Sequence, residues 1–490
     1  DILLAIPSIS QKQRSLIIEG LRPLNKHIRT LPGLADMARG ESDYGQLNEL
    51  DINDLLGREP SVADEALLQS QVKGQVVLVT GAGGSIGSEL CRQVLQRKPK
   101  ILLLFDLSEL ALYTLNNELQ KTLQQLSQAD SVGVLGEKNK GQASANNSGK
   151  INLLPRIIPL LGSVTDENRV SDVISAWRPS IIYHAAAVKH VPIVEQNIAE
   201  CVKTNIFGTL VMAKVAIERQ VDRFVLVSTD KAVNPTNAMG ASKRCCEIIL
   251  QALAAEVKPA FEPLWGGQPS AQVERNTQFA MVRFGNVLGS SGSVVPYFRN
   301  QIAQGGPITL THKDVIRYFM TIPEAAQLVM QTGAMAGQGM VDFVNGNGAE
   351  VYVLDMGEPV KIYDLARRMV ELSGLRVKDD DFQSGDIAIE VVGLRPGEKL
   401  YEELLIGNNP EKTQHPRIMK ASEKYLPWDE LTPWLRTLKS AGENSDVLMI
   451  RTLFRNLIPE YIPDDKVADW VFKEELMSAE NKKREENFSK

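Results

Sequence analysis

Val76-Val-Leu-Val-Thr80-Gly81-Ala-Gly-Gly84-Ser-Ile-Gly87 is the stretch on which the fold turns. Residues 76–80 are apolar or β-branched without alternation, the composition of a strand buried on both faces of a parallel sheet. Glycines at 81, 84 and 87 follow, and residues 86–97 have the spacing of a helix. Strand, glycine turn and helix in that order let backbone approach a pyrophosphate, which then faces the N–H groups of the helix start. Gly81, Gly84, Ser85, Ile86 and Gly87 are therefore expected to hold a dinucleotide. A second strand, 101–105, ends on Asp106, 19 residues beyond Gly87. A carboxylate there accepts hydrogen bonds from the adenosine ribose and repels a 2′-phosphate, so NAD is expected over NADP. Ala185, Ala186 and Ala187 follow a later strand, where small side chains leave room for a cofactor. Ser163, Val164 and Asn205 complete the expected cofactor side. Strands at 157–161, 181–184, 224–227 and 279–284 alternate with helical segments. That alternation predicts an α/β fold with a doubly wound parallel sheet.

The 490 residues, 43% of them hydrophobic, can build a large core and more than one domain. A net charge of −6 supplies no basic field, which argues against nucleic acid as a partner. Cys91, Cys201, Cys245 and Cys246 lack metal-ligand spacing, so free thiols and no metal are expected. No apolar run approaches the ~20 residues of a membrane span. The chain opens on an apolar run at Asp1-Ile-Leu-Leu-Ala-Ile6 without an initiator methionine, as if a strand had been cut from something longer. Residues 2–6, 9–23 and 27–31 read as strand, helix and strand, with a connecting segment at 51–60. The expected division is an N-terminal fragment and linker (1–60), a cofactor domain (61–286), a smaller C-terminal α/β substrate-binding part with terminal helices (287–475) and a charged tail (476–490). Residues 125–150 read as a flexible polar loop and 256–276 as a surface excursion.

Ser228-Thr-Asp-Lys231-Ala-Val-Asn-Pro235 follows the strand 224–227. It thus lies at a carboxyl edge, where open α/β sheets bind ligands. Thr229, Asp230 and Lys231 bring a hydroxyl, an acid and a potential base to that edge. Eight residues beyond Lys231, Met239-Gly-Ala-Ser-Lys243 opens a helix.

Glycine turn, hydroxyl residue and lysine resemble the extended short-chain dehydrogenase/reductases, whose pattern is Tyr-x-x-x-Lys; here Met239 stands at the tyrosine position. The run S-T-D-K-A-V-N-P-T-N-x-M-G-A-S-K at 228–243 resembles one branch. That branch is the membrane-anchored UDP-N-acetylglucosamine 4,6-dehydratases of bacterial polysaccharide and protein glycosylation pathways, the CapD-like family. Residues 185–192 with Glu195, 282–293, 316–324 and 393–403 match it too, and the resemblance spans about 1–405. It implies an NAD-binding Rossmann domain, tightly bound and recycled NAD, and membrane anchoring through a region upstream of a degenerate first domain. A homodimer is the default for the fold.

The implied reaction oxidises sugar C4, removes the C5 proton, expels water across C5–C6 and returns hydride to C6, with retention at C5. Lys243 would hold the nicotinamide ribose and Thr229 the C4 oxygen. Asp230 would protonate the departing hydroxyl and Lys231 would take the C5 proton. Met239 has no ionisable hydrogen, so the C4 proton goes to Asp230, through Thr229, or to water. On the substrate side, Arg317 and Arg395 can fork onto the diphosphate. Asn286 and Ser293 lie in a glycine-rich approach, Glu398 can accept from ribose hydroxyls, and Lys189 and His190 border the sugar. A 4-epimerase on the same fold and a non-catalytic NAD-sensing protein stay as alternatives.

Overall fold

Val76–Thr80 (β1) buries its last four side chains and lies within a nine-stranded sheet. A computed structural model describes residues 1–6, 9–21, 24, 26, 28–30, 48–49, 61, 63–137, 154–261, 273–290, 292–336, 349–379, 383–403 and 410–478, with backbone alone for 11–12, 30, 48–49 and 129–137. Ile101–Asp106 (β2) and Arg156–Leu161 (β3) flank β1 on one side. Ile181–His184 (β4), Arg223–Val227 (β5), Gln278–Arg283 (β6) and Glu350–Leu354 (β7) follow on the other. The order β3-β2-β1-β4-β5-β6-β7 is parallel throughout. Glu411–Lys412 (β8) and Ile418–Ala421 (β9) extend it antiparallel, in the order β7-β9-β8. Strand order reverses between β1 and β4, the switch point at which such sheets open a ligand crevice. The expected α/β doubly wound sheet is the one found.

Ser85–Gln96 (α1) links β1 to β2, and Glu109–Glu137 (α2) leaves β2. The flexible loop expected at 125–150 is wrong in its first part, since α2 runs on to Glu137. Leu112, Leu115 and Leu119 are buried at helical spacing. A helix so nucleated propagates cheaply through proline-free polar sequence. Residues 138–150 lie outside the described ones, as do 51–60, 262–272 and 479–490. The expected excursion at 256–276 has a closed base. Arg275 donates to the carbonyls of Ala254, Glu256 and Thr277 at 2.7, 3.0 and 2.6 Å.

The chain divides differently from the expected 61–286 and 287–475. One unit comprises residues 63–283, 326–354 and 405–490; the other comprises 1–62, 284–325 and 355–404. β7, β9 and the helices Trp428–Glu443 and Val447–Leu457 thus belong with the parallel sheet. Sheet extension explains this: β7 finds its main-chain partners on β6 and β9. The described residues of the N-terminal fragment pack into the second unit. Leu4, Ile18 and Ile28 share one core with Leu288, Phe298, Phe319 and Leu365, because a fragment this short cannot bury its own apolar face.

His184, at the end of β4, ties the sheet to the helix Gly208–Glu218 (α3). Its imidazole is fully buried between the hydroxyls of Thr80 (2.7 Å) and Thr209 (3.0 Å). Burial, with the charge of Lys243 second, pushes its pKa down to about 3. The unfolded chain therefore binds the extra proton first. This contribution to stability is present above pH 6.5 and is lost as the pH falls toward 3. Melting temperature should drop more steeply over that window than in His184→Asn; equal slopes would contradict the assignment.

Candidate functional site

The glycine turn is shaped by close backbone approaches. Gly81 has φ +64°, and a Cβ there would lie 2.6 Å from Ala186 N. A Cβ at Gly87 would overlap Gly81 O. Exposed Gly84 is the N-cap of α1 and makes no side-chain cap, so the helix start offers its positive end to an anion. Asp106 Oδ2 accepts from Gly83 N and Oδ1 from Ser108 N, both at 2.8 Å. These bonds aim the carboxylate beside the turn and leave lone pairs for ribose hydroxyls. The donors, acceptor and Cβ-free space fit NAD. Ser163 pairs with Thr165 at 2.7 Å. Val164 is buried against the start of α3, where a Cβ on Gly208 would meet it at 2.7 Å.

Asn205 departs from the expected cofactor contact. It lies in a π-helical turn, Val202–Phe207, with its amide fully buried. It accepts from Val188 N (2.9 Å) and donates to Val188 O (3.0 Å) and Ser242 Oγ (2.9 Å). Asn205 thus splints the segment behind Ala185–Ala187, while Lys189 and His190 beyond it are exposed.

At the next strand end the acid and lysine meet. Thr229 caps the short helix Asp230–Ala232. Asp230 Oδ1 accepts from Thr229 Oγ1 at 2.9 Å and from Lys231 Nζ at 3.0 Å. Asp230 is 1% exposed, and its Oδ2 is buried with no hydrogen-bond partner among the described residues. An orphaned buried carboxylate oxygen demands an explanation.

Ala238–Ala255 (α4) starts beside them, with Asn237 Oδ1 accepting from Gly240 N at 2.8 Å and Glu195 accepting from Ala238 N at 2.5 Å. Gly240 lies against the Lys231 carbonyl. The structure therefore brings Thr229, Asp230, Lys231 and the start of α4 together. Met239 is 4% exposed, and Lys243, one turn on, is also buried. Burial lowers the Lys243 pKa, and Cys246, Glu247 and Cys201 pull it partly back.

The other unit holds the remaining candidates. Asn286 opens the short strand Asn286–Val287, and Ser293 stands at the N-cap position of the helix Val294–Ala303 without a side-chain cap bond, its Oγ buried and unpartnered among the described residues. Arg317 is not the open phosphate arm expected. It donates to the carbonyls of Ile316, Lys399 and Leu400 at 2.8, 2.7 and 3.2 Å and lies near Glu398 and Glu402. Glu398 likewise serves the turn that presents Arg395: it accepts from Thr311 Oγ1 (3.0 Å) and Arg395 N (3.2 Å). Arg395 is exposed. Sequence reasoning passed over Glu247 and Arg283, both fully buried. The available signals were Glu247's place four residues after Lys243 and the single charge in the strand QFAMVR.

The switch point, glycine turn and acidic strand end define a doubly wound α/β fold with a glycine-lined cradle at its ligand crevice. Residues 77–146 and 137–423 match the profile of the polysaccharide biosynthesis proteins, and the chain belongs to that family. It is 41% identical over 407 residues to the capsular polysaccharide biosynthesis protein CapD of Staphylococcus aureus, covering 83% of this chain and 58% of that protein. The chain thus spans under two thirds of that relative's length. It is 27% identical over 340 residues to a UDP-N-acetylglucosamine 4,6-dehydratase (inverting) of Campylobacter jejuni (69% and 79% covered). It is also 27% identical over 331 residues to a UDP-glucose 4-epimerase of Rickettsia rickettsii (68% and 77% covered). The X-ray structure of Pen from Bacillus thuringiensis superposes with TM-score 0.54 at 28% identity, covering 74% of this chain and 97% of that one. Among the described residues, no helix is long and apolar enough to cross a membrane, and no His/Cys/Asp/Glu group could hold a metal.

Proposed function

We propose that this chain dehydrates a UDP-N-acetylhexosamine, UDP-GlcNAc foremost, to the 4-keto-6-deoxy sugar, for surface-glycan or glycoprotein synthesis. The observation that carries the reading is Asp230: one carboxylate oxygen is held by Thr229 and Lys231, and the other is buried with no hydrogen-bond partner among the described residues. NAD, held by the glycine turn, Asp106 and Lys243, supplies the hydride acceptor and donor when bound. The proton balance follows from the chain's own groups. Overall the sugar loses the C4 hydroxyl proton and the C6 hydroxide, which together make the water. Met239 cannot take the C4 proton. Thr229 passes it to Asp230 along the 2.9 Å bond, and Asp230 gives it up to the departing C6 oxygen. Lys231, as the neutral amine, takes the C5 proton, and the ammonium so formed, whose hydrogens exchange with solvent, delivers one back to C5. One group acting on one face of the sugar retains configuration at C5. Arg395 and Ser293 are proposed for the diphosphate, Asn286 and Glu398 for the nucleotide, and Lys189 and His190 for the sugar's border.

The test is incubation with UDP-GlcNAc and NAD in deuterated water, with mass and NMR analysis of the product. Loss of water with deuterium at C5 is expected. Unchanged mass with inverted C4 would give the epimerase reading, and NAD binding without turnover a sensing role. Met239→Leu should keep turnover within about threefold, since the site asks only packing of this side chain. A loss as deep as that of Lys231→Ala would show that the sulfur takes part.

A further inference from the structure

Four charges lie buried behind the catalytic edge, and no step above uses them. Glu247 and Arg283 are 0% exposed, Glu423 3% and Arg244 5%. Glu247 Oε1 accepts from Ser228 Oγ and from Arg283 Nε, both at 2.7 Å. Its Oε2 accepts from Arg283 Nη2 at 2.5 Å and Arg244 Nη1 at 3.3 Å. Arg283 also grips Glu423, with Nη2 3.0 Å from its Oε2, and Arg244 donates to Lys424 O at 2.5 Å. Two guanidinium and two carboxylate groups leave no net charge.

Stability is a weak reason for such a cluster, because well-packed apolar side chains often do as well as buried ion pairs. The cluster does something apolar packing cannot: it sets directions. The two-pronged Arg283 fork orients the Glu247 carboxylate so that Oε1 points at Ser228. The Ser228 main chain is held from the other side, its N–H donating to Val282 O on β6 at 2.8 Å. The next peptide begins Thr229-Asp230-Lys231. Glu247 also follows Lys243 by one helical turn and Met239 by two, so all three share one face of α4.

We infer that Glu247, oriented by Arg283 and Arg244, is a positioning residue that fixes Ser228, and through it Thr229–Lys231, relative to Lys243. The turnover consequence rests on the function proposed above; the geometric one does not. Ser228→Ala is the discriminating variant. It removes one hydrogen bond and leaves the ion cluster, and Oε1 keeps its Arg283 donor, whereas a change at Glu247 strands two buried arginines. Ser228→Thr restores the hydroxyl.

In the full chain with NAD, Ser228→Ala should lower kcat for UDP-GlcNAc about 10- to 100-fold, the scale of a small misplacement of catalytic groups. KM, NAD content and melting temperature should stay close to those of the unaltered protein. Amide exchange should quicken at Lys231, Ala232 and Val233, whose N–H groups donate to Thr229 Oγ1, Thr229 O and Asp230 O. Ser228→Thr should recover most of the rate. The inference is overturned by a Ser228→Ala variant with unchanged kcat and exchange. It is equally overturned by a loss that tracks melting temperature or NAD content and is not recovered by threonine. If the unaltered protein fails to turn over UDP-GlcNAc, the proposed function falls, and the exchange comparison still decides the positioning.

Discussion

Asp230→Asn and Lys231→Ala should each abolish product formation from UDP-GlcNAc, the substrate proposed above, while NAD stays bound. The amide introduced by Asp230→Asn would still accept from Thr229 but could neither take the C4 proton nor release one to the C6 oxygen. Losing a positioned acid or base costs about 10²–10⁴ in rate. Asp230 acts at two points of the proposed sequence, so its loss sits at the deep end. Lys231→Ala removes the C5 base and the 3.0 Å partner of Asp230 Oδ1. Neither side chain belongs to the glycine turn or touches Asp106 in any hydrogen bond above, so cofactor content should hold. Product by NMR and NAD released on denaturation check both halves; retained turnover in both variants would remove the assignment.

Gly240→Ala is the second large effect, and two magnitudes of opposite sign decide it. Helix propensity favours alanine over glycine by about 0.8–1.0 kcal/mol in a helix interior. Against that, a Cβ on residue 240 would overlap the Lys231 carbonyl oxygen and lie 2.9 Å from its carbon and 3.2 Å from Pro235 Cβ. Two of these neighbours are backbone, so α4 or the 230–237 segment must shift. The segment is already constrained: Asn234 sits at φ +41°, and Asn237 accepts from Gly240 N. A displacement on the order of 1 Å at Lys231 is worth about 10²-fold in turnover. Turnover should therefore fall by about that factor in Gly240→Ala, with NAD still bound. A variant that melts higher and keeps full activity would show that the segment yields.

Much of the fold was legible because the central parallel strands bury both faces and read as nearly unbroken apolar runs. The glycine turn was equally readable, since a close backbone approach admits no side chain and only glycine meets that demand. Thr229, Asp230, Lys231 and Lys243 were legible through their place after a strand and at the head of a helix. The long α2 was misread from polar composition, which reports solubility rather than helix continuity. Arg317 and Asn205, whose side chains bond within the chain, show a related limit: a guanidinium or amide reads the same whether it meets a ligand or the chain's own carbonyls.

Sequence alone therefore determined the strand-turn-helix cradle, the acid at the end of β2 and the identities of the catalytic candidates, because local backbone demands and residue chemistry are written position by position. Only the tertiary structure decided that residues 1–62 share a core with 284–325 and 355–404, and that β7 and β9 extend the sheet. It alone showed that Asp230 keeps one buried oxygen without a partner among the described residues and that Arg283 aims Glu247 at Ser228. Those facts depend on which distant segments meet, and long-range pairing is selected by burial and hydrogen-bond satisfaction across the whole chain rather than by any local pattern.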